Sequence, residues 1–112
     1  MDCIFCKIVA GEIPSTKVYE DEQVLAFRDI EPQAPIHVII IPKQHVASAA
    51  DIGGDNSHLI AKVFEAAAKI AASEHLENGF RIVNNCGAEG GQTVGHIHFH
   101  MLAGRMLAWP PG

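Results

Sequence analysis

The alternation His96-Ile97-His98-Phe99-His100 constrains this chain more than any other feature of its sequence. On a β-strand, side chains two residues apart point to the same face. The alternation therefore predicts a strand that presents three imidazoles in a row, with Ile97 and Phe99 directed into a core on the other face. Neutral imidazole is both a nucleophile near neutral pH and the commonest protein ligand for metals, so a catalytic row and a metal site are both open at this point.

A glycine-rich segment from Asn85 to Thr93 lies just before the histidines. The backbone N–H groups of glycines can approach an anion closely, and the side chains of Asn85, Gln92 and Thr93 add further donors. Such a loop on its own is more often a simple turn, but beside the histidines it predicts a cradle for an anion. The formal charge of −5 would not steer an anionic substrate to the molecule, so recognition of a phosphate must be local.

Strand patterns alternate with turns along the rest of the chain, apart from two helical segments. The patterns predict a short helix over Ile4–Val9, strands over Lys17–Tyr19, Val24–Phe27, His37–Ile41, Phe80–Val83 and Val94–Leu102, and a helix of about 20 residues between Ser57 and the stop at Asn78-Gly79. The β-branched run Val38–Ile41 is typical of a central, buried strand. We therefore expect an α+β sandwich that forms one domain over residues 1–112.

Composition excludes several classes of protein. Eight basic residues stand against 13 acidic ones with no basic run, which argues against nucleic acid as a partner. No apolar stretch approaches the roughly 20 residues that span a bilayer, so we expect no membrane partner either. The start Met1-Asp2-Cys3 lacks the basic and apolar regions of a secretory signal, and three cysteines are an odd number. These features predict a cytoplasmic protein.

The pair Cys3-x-x-Cys6 has three interpretations. It could be a redox pair, although no thioredoxin-like βαβ unit surrounds it. It could be two inert buried thiols. It could also be one half of a tetrahedral zinc site, whose other half would come from elsewhere in the chain.

Several segments together resemble the histidine triad (HIT) superfamily, whose pattern alternates histidines with apolar residues. Besides the histidines, the similar segments are Phe27–Ile30, Pro32–His37, Ile41–His45 and Gly90–Val94. The end of the chain, Gly104-Arg105 followed by Trp109-Pro110-Pro111-Gly112, is similar to the Hint branch of that superfamily. The resemblance implies a HIT-like fold, with a five-stranded antiparallel sheet, one long helix and a short N-terminal helix.

The resemblance also implies an activity. Hint-type proteins are purine nucleoside phosphoramidases, which cleave the P–N bond of adenosine or guanosine 5′-phosphoramidates through a covalent nucleotidyl-histidine and release AMP or GMP. Carried onto this chain, His98 is the nucleophile, Thr93 relays a proton to the leaving amine, and His100 contacts the α-phosphate. His37 is implied as a support behind the histidines. The implied nucleotide-binding residues are Ile13, Phe27, Asp29, Ile30, Asn85, Gly91, Gln92, Thr93, His98 and His100.

Two other functions stay open at this point. One is a non-catalytic module that binds purine nucleotides, and the other is a dinucleoside polyphosphate hydrolase of the Fhit-like branch. Retention of His98 and Thr93 favours an enzyme over a binding module, because binding alone needs neither a nucleophile nor a proton donor. The Trp-Pro-Pro-Gly tail argues against the Fhit-like branch.

The resemblance further implies a structural zinc ion and a homodimer. The implied zinc ligands are Cys3, Cys6, His45 and His96, and catalysis would need no cofactor. The family dimer joins two five-stranded sheets into one of ten strands. The alanine-rich face of the long helix and the apolar tail also predict surface that one chain buries poorly.

Overall fold

The computed structural model describes residues 3–112. Met1 and Asp2, on which part of the secretory-signal prediction rests, lie outside the described residues. The elements in chain order are α1 (Ile4–Val9), β1 (Lys17–Glu20), β2 (Val24–Arg28), β3 (Ile36–Pro42), a 3-10 turn (Ala49–Asp51), α2 (His58–Ser73), β4 (Arg81–Val83) and β5 (Phe99–Ala103). The strands form one antiparallel sheet in the order β1-β2-β3-β5-β4, which confirms the α+β class and the HIT-like arrangement.

Strand β3 is central and is covered on both faces, as the β-branched run predicts. Val38 and Ile40 belong to the core between the sheet and α2, whereas Ile39 and Ile41 belong to the core beneath α1. The two helices therefore lie on opposite faces of the sheet. Neither helix in the described part of the chain is long and apolar enough to cross a bilayer.

The strand predicted over Val94–Leu102 is wrong at its start, because β5 begins only at Phe99. The ladder with β3 ends at the pair Ile40–Phe99, and Pro42 has no N–H with which to extend it. The Pro42 carbonyl instead accepts a hydrogen bond from Nε2 of His96 at 2.8 Å. The predicted alternation nevertheless holds, since Ile97 and Phe99 pack in the core with α2 while His96 lies on the opposite side, against Phe5.

Helix α2 has 16 residues and ends at Ser73, several residues before the predicted stop at Asn78-Gly79. His75 takes a φ of 57°, and the Leu76 N–H donates to the Ala71 carbonyl at 2.9 Å. This is a Schellman-type end, with Leu76 packed back onto the core. A sequence does not indicate that a histidine will take the left-handed position at a helix end, since glycine usually occupies that position.

The alanine-rich side of α2 is divided between two environments. Ala66 and Ala67 are buried against the sheet, whereas Phe64 is about half exposed. Part of the alanine-rich face therefore covers the chain's own core. This finding corrects the prediction that the face is surface that one chain buries poorly.

Candidate active site and metal centre

A polar cleft and an apolar cavity adjoin on the α1 side of the sheet. The polar cleft has a volume of about 570 Å³, and the apolar cavity about 510 Å³. The two share four lining residues: Phe5, Asp29, Ile30 and Ile39. Of the predicted nucleotide-binding residues, the polar cleft is lined by Asp29, Ile30, Asn85, Gly91, Thr93, His98 and His100, and the apolar cavity by Ile13, Phe27, Asp29 and Ile30.

His98 is held with its proton on Nδ1. Nδ1 lies 2.7 Å from the carbonyl oxygen of His96, and a carbonyl can only accept a hydrogen bond. In the neutral ring, Nε2 therefore carries the free lone pair. The ring is buried, with Phe5 edge-on at 5.1 Å, and Asn84 Nδ2 donates to the main-chain oxygen of His98 at 2.9 Å. The arrangement fixes a nucleophilic nitrogen in the cleft wall.

His100 is held in the opposite tautomer. The main-chain N–H of Gln33 donates to Nδ1 of His37 at 3.0 Å, so the proton of neutral His37 is on Nε2. That Nε2–H lies 2.9 Å from Nδ1 of His100, which must accept and therefore carries its own proton on Nε2. Burial lowers the pKa of both His37 and His100 and keeps them neutral near pH 7. Two adjacent rings, with centroids 5.1 Å apart, thus offer a lone pair from His98 and a donor from His100.

Asp29 lies where the polar cleft and the apolar cavity meet. Its Oδ1 accepts from the Glu31 N–H at 2.8 Å, and its Oδ2 lies 3.4 Å from Nε2 of His37. Asp29, His37 and His100 are close enough to suggest a cation site. Both nitrogens of His37 are engaged in hydrogen bonds, however, so this cluster works as a hydrogen-bond relay.

The loop from Asn85 to Thr93 is tightly folded. Gly91 has a φ of +80°, and a Cβ added at Gly90 would lie 2.3 Å from the Cys86 carbonyl oxygen. The side chain of Gln92 accepts from the Gly87 N–H at 2.9 Å and donates to the carbonyls of Ala47 and Val94 at 2.8 and 2.9 Å. Gln92 therefore braces the loop and, unlike the other predicted nucleotide-binding residues, is not among the residues that line the cleft or the cavity.

The four predicted metal ligands meet beside the histidine segment. His96 Nδ1 lies 3.4 Å from the Cys3 Sγ, 3.6 Å from the Cys6 Sγ and 3.2 Å from the Nδ1 of His45, and Cys6 Sγ lies 3.3 Å from the same His45 atom. Tetrahedral zinc, with bonds of about 2.3 Å to sulfur and about 2.0–2.1 Å to nitrogen, would separate its nitrogen ligands by about 3.3 Å and nitrogen from sulfur by about 3.6 Å. The donor set therefore fits a tetrahedral cation.

The position of the proton on the His96 ring leaves Nδ1 free to bind that cation. Because the Pro42 carbonyl can only accept, the proton is on Nε2, and Nδ1 directs its lone pair at the two thiols. Cys3 also caps α1, accepting from the Cys6 N–H at 3.3 Å through its sulfur. The start of α1 thus presents both sulfur atoms to the two imidazoles.

Sequence reasoning missed four residues that shape this site. Phe5 lies between the two cysteines and reads as ordinary helix core, yet it packs against His98. Gln33 donates to His37 only four residues away, whereas Asn84 and Arg105 make hydrogen bonds to residues 14 and 72 positions away, for which a single sequence carries no signal.

Comparison with known proteins places these residues in a family. Residues 10–107 match the model of the HIT domain. The chain is 50% identical over 111 residues to an uncharacterized HIT-like protein of Synechococcus elongatus, covering 99% of this chain and 97% of that protein. It is 47% identical over 113 residues to a 14 kDa zinc-binding protein of Brassica juncea, covering 99% and 100%.

Solved structures give the same result. A HIT family hydrolase from Legionella pneumophila superposes with a TM-score of 0.96 at 54% identity, covering 99% of this chain and 100% of that one. A histidine triad protein from Clostridium difficile superposes with a TM-score of 0.94 at 50% identity, covering 96% and 95%. The fold, the histidine segment and the sequence matches agree, and this chain belongs to the HIT domain family.

Proposed function

We propose that this chain is a hydrolase that cleaves the P–N bond of adenosine or guanosine 5′-phosphoramidates and releases AMP or GMP and an amine. The opposite tautomers of His98 and His100 in one cleft carry this proposal. A binding module would need donors for phosphate, but it would have no use for a buried lone pair directed into the same space. The description of the Legionella relative as a hydrolase supports the same class of reaction.

In the first step, Nε2 of His98 attacks the phosphorus atom. The new P–Nε2 bond forms as the bond from phosphorus to the substrate amine breaks, which gives a nucleotidyl-histidine. The amine must gain a proton to leave, and the Thr93 hydroxyl, which lines the same cleft, relays it. The proton of His98 stays on Nδ1, and the His96 carbonyl that accepts from it stabilises the positive charge that develops on the ring.

In the second step, water attacks the same phosphorus atom, the P–Nε2 bond breaks, and the proton that the water loses replaces, through the Thr93 hydroxyl, the one delivered to the amine. The products are the nucleoside monophosphate and His98 with its lone pair restored. In both steps negative charge is concentrated on the non-bridging oxygens. The Nε2–H of His100 and the Asn85 amide are donors that stabilise this charge in the cleft, which Gly91 also lines.

The apolar cavity accepts the purine base. Ile13, Phe27 and Ile30 form its walls, and flat apolar walls suit a planar heterocycle. Asp29 lies at the junction with the polar cleft, where a ribose would lie between base and phosphate. A carboxylate there accepts from the two ribose hydroxyls.

Cys3, Cys6, His45 and His96 would hold a structural zinc ion. Four protein ligands close the coordination sphere, so the metal would secure α1 to the sheet and leave no position for a reacting water. The name of the Brassica relative, a zinc-binding protein, supports this assignment. Free thiols as ligands suit a reducing compartment, and we place the protein in the cytoplasm.

Substitution of the nucleophile tests the proposed reaction. His98→Ala should abolish phosphoramidate turnover while nucleotide binding, measured by calorimetry with AMP, is retained, because the cleft donors and the base cavity remain. Asn85→Ala is the matched control, since it should weaken phosphate contacts yet leave measurable turnover. A His98→Ala protein that keeps turnover within about tenfold, or roughly 1.4 kcal/mol of barrier, would exclude His98 as the nucleophile.

A further inference from the structure

The residues that follow β5 clamp the loop between β2 and β3, residues 29–35. Gly104 has a φ of +96°, and a Cβ added there would lie 2.8 Å from the Cβ of Pro35. Next to it, the guanidinium of Arg105 donates from Nη2 to the Gln33 carbonyl at 2.9 Å and from Nη1 to the Met106 carbonyl at 3.2 Å. The chain after the last strand therefore touches this loop both by close packing and by a charged hydrogen bond.

Both main-chain polar groups of Gln33 make hydrogen bonds. Its carbonyl accepts from Arg105, and its N–H donates to Nδ1 of His37. Its side chain also donates to the Glu31 carbonyl at 3.0 Å. Gln33 is thus restrained from outside the cleft by Arg105, on a segment 72 residues further along the chain.

We infer that Arg105 is a positioning residue that fixes the tautomer of His100 through Gln33 and His37. The relay is a series of three hydrogen bonds that all donate in the same direction. Arg105 donates to the Gln33 carbonyl, the Gln33 N–H donates to Nδ1 of His37, and the His37 Nε2–H donates to Nδ1 of His100. His100 is then left with its proton on the nitrogen that the relay does not use. The inference rests on the proposed function in one respect only, which is that the Nε2–H of His100 donates to a substrate phosphate.

Loss of the clamp would allow the relay to reverse. The two tautomers of a neutral imidazole are close in energy, and the hydrogen bond at one nitrogen decides which is populated. If the Gln33 N–H turned away, only the Asp29 carboxylate, 3.4 Å from Nε2 of His37, would still favour a proton there. His37 could then carry its proton on Nδ1 and accept at Nε2 from the Nδ1–H of His100. His100 would then present a lone pair to the phosphate oxygens, which repels them instead of stabilising their charge.

Ring ¹⁵N NMR of histidine-labelled protein tests the inference without any substrate. The wild-type protein should show His100 as a single tautomer protonated at Nε2. Arg105→Met, which keeps the length of the stem but removes the donors, should shift His100 toward a mixture with Nδ1–H. The control is Arg81→Met, because Arg81 holds the same tail through the Leu107 and Ala108 carbonyls without touching Gln33; it should leave the His100 signals unchanged.

Kinetics on an adenosine phosphoramidate give a second, independent readout. Arg105→Met should lower kcat by about three- to tenfold, the effect of one lost hydrogen bond, with a smaller change in KM. In a His37→Asn background, where the side chain is too short to reach His100, the same substitution should cost nothing further.

Two results would overturn the inference. One is an unchanged His100 tautomer in Arg105→Met, and the other is an equal loss of kcat from Arg105→Met in both backgrounds. A wild-type protein without phosphoramidate turnover would contradict the proposed function instead, and the NMR comparison would still decide the role of Arg105.

Discussion

At the scale of single residues, the site is defined by where protons lie on four histidines. His96 and His98 are each fixed by one main-chain carbonyl, which can only accept, and His37 is fixed by one main-chain N–H, which can only donate. His100 takes its tautomer from His37. The proposed roles of metal ligand, nucleophile and hydrogen-bond donor therefore fall to residues of one type, because a different hydrogen-bond partner fixes the proton of each.

Burial of the relay also makes the stability of the fold depend on pH. Burial lowers the pKa of His37 below the ordinary value of 6.5, so the folded state binds fewer protons than the unfolded state once the pH falls below that value. Stability is then fully present above pH 6.5 and is lost as the pH falls toward the lowered pKa. Urea unfolding at pH 7.5 and 5.5 should show a smaller loss for His37→Gln than for wild type. Equal losses in the two proteins would contradict the assignment.

At the scale of secondary-structure elements, α1 matters more than its six residues suggest. It presents Cys3 and Cys6 to the metal centre and Phe5 to His98, and it forms one wall of the apolar cavity. A helix of six residues is marginal without tertiary contacts. We propose that a metal ion held by the Cys–His cluster secures α1 against the sheet together with the buried side chains of Phe5 and Ile8.

Loss of the metal should damage stability more than chemistry. Chelation, or Cys6→Ser, should lower the Tm by roughly 5–15 °C, which corresponds to about 1–2 kcal/mol in a domain of this size. Turnover by the protein that remains folded should fall less, because no proposed step passes through the metal. Cys86→Ser, which removes an exposed thiol, is the matched control. Protein purified without chelator that holds no transition metal would contradict this account.

The same elements show what a sequence can and cannot predict. The β-branched run of β3, the alternation of the histidines and the Cys3-x-x-Cys6 pair are local patterns, and the structure has the central strand and the two-sided arrangement. It also has the Cys–His cluster, whose two histidines only the family resemblance implied. The start of β5 depends on whether the Pro42 carbonyl accepts a hydrogen bond from the backbone or from His96. The end of α2 depends on the left-handed conformation of His75. Gln92 and Arg105 act on carbonyls of segments that only the folded chain brings near.

At the scale of the whole molecule, apolar surface remains on the side of β4, which is an edge of the sheet. Phe64, Phe80, Met106 and Trp109 are large apolar side chains that are exposed in the single chain. An open strand edge beside apolar side chains is typical of a surface that pairs with a second copy. We propose a homodimer in which two sheets join through β4, as the resemblance to Hint-type proteins implies.

Light scattering tests the assembly. The particle mass at micromolar concentration should be twice the 12.1 kDa of one chain. A lysine in place of Phe80 should shift the protein toward the monomer, because it places a charge in the buried interface. The matched control is lysine in place of Ile4, an exposed apolar residue of α1 on the other face of the sheet, which should leave the mass unchanged. A wild-type particle of 12.1 kDa would contradict the dimer.

In the proposed reaction, His98 carries the nucleotide during turnover. The most direct measurement is the intact mass of protein acid-quenched within one turnover of an adenosine phosphoramidate, followed by mapping of the modified peptide. The account predicts an added adenylyl group on His98 in the wild-type protein and none in His98→Ala. Wild-type protein that turns over substrate without this adduct, or with the adduct on another residue, would contradict it.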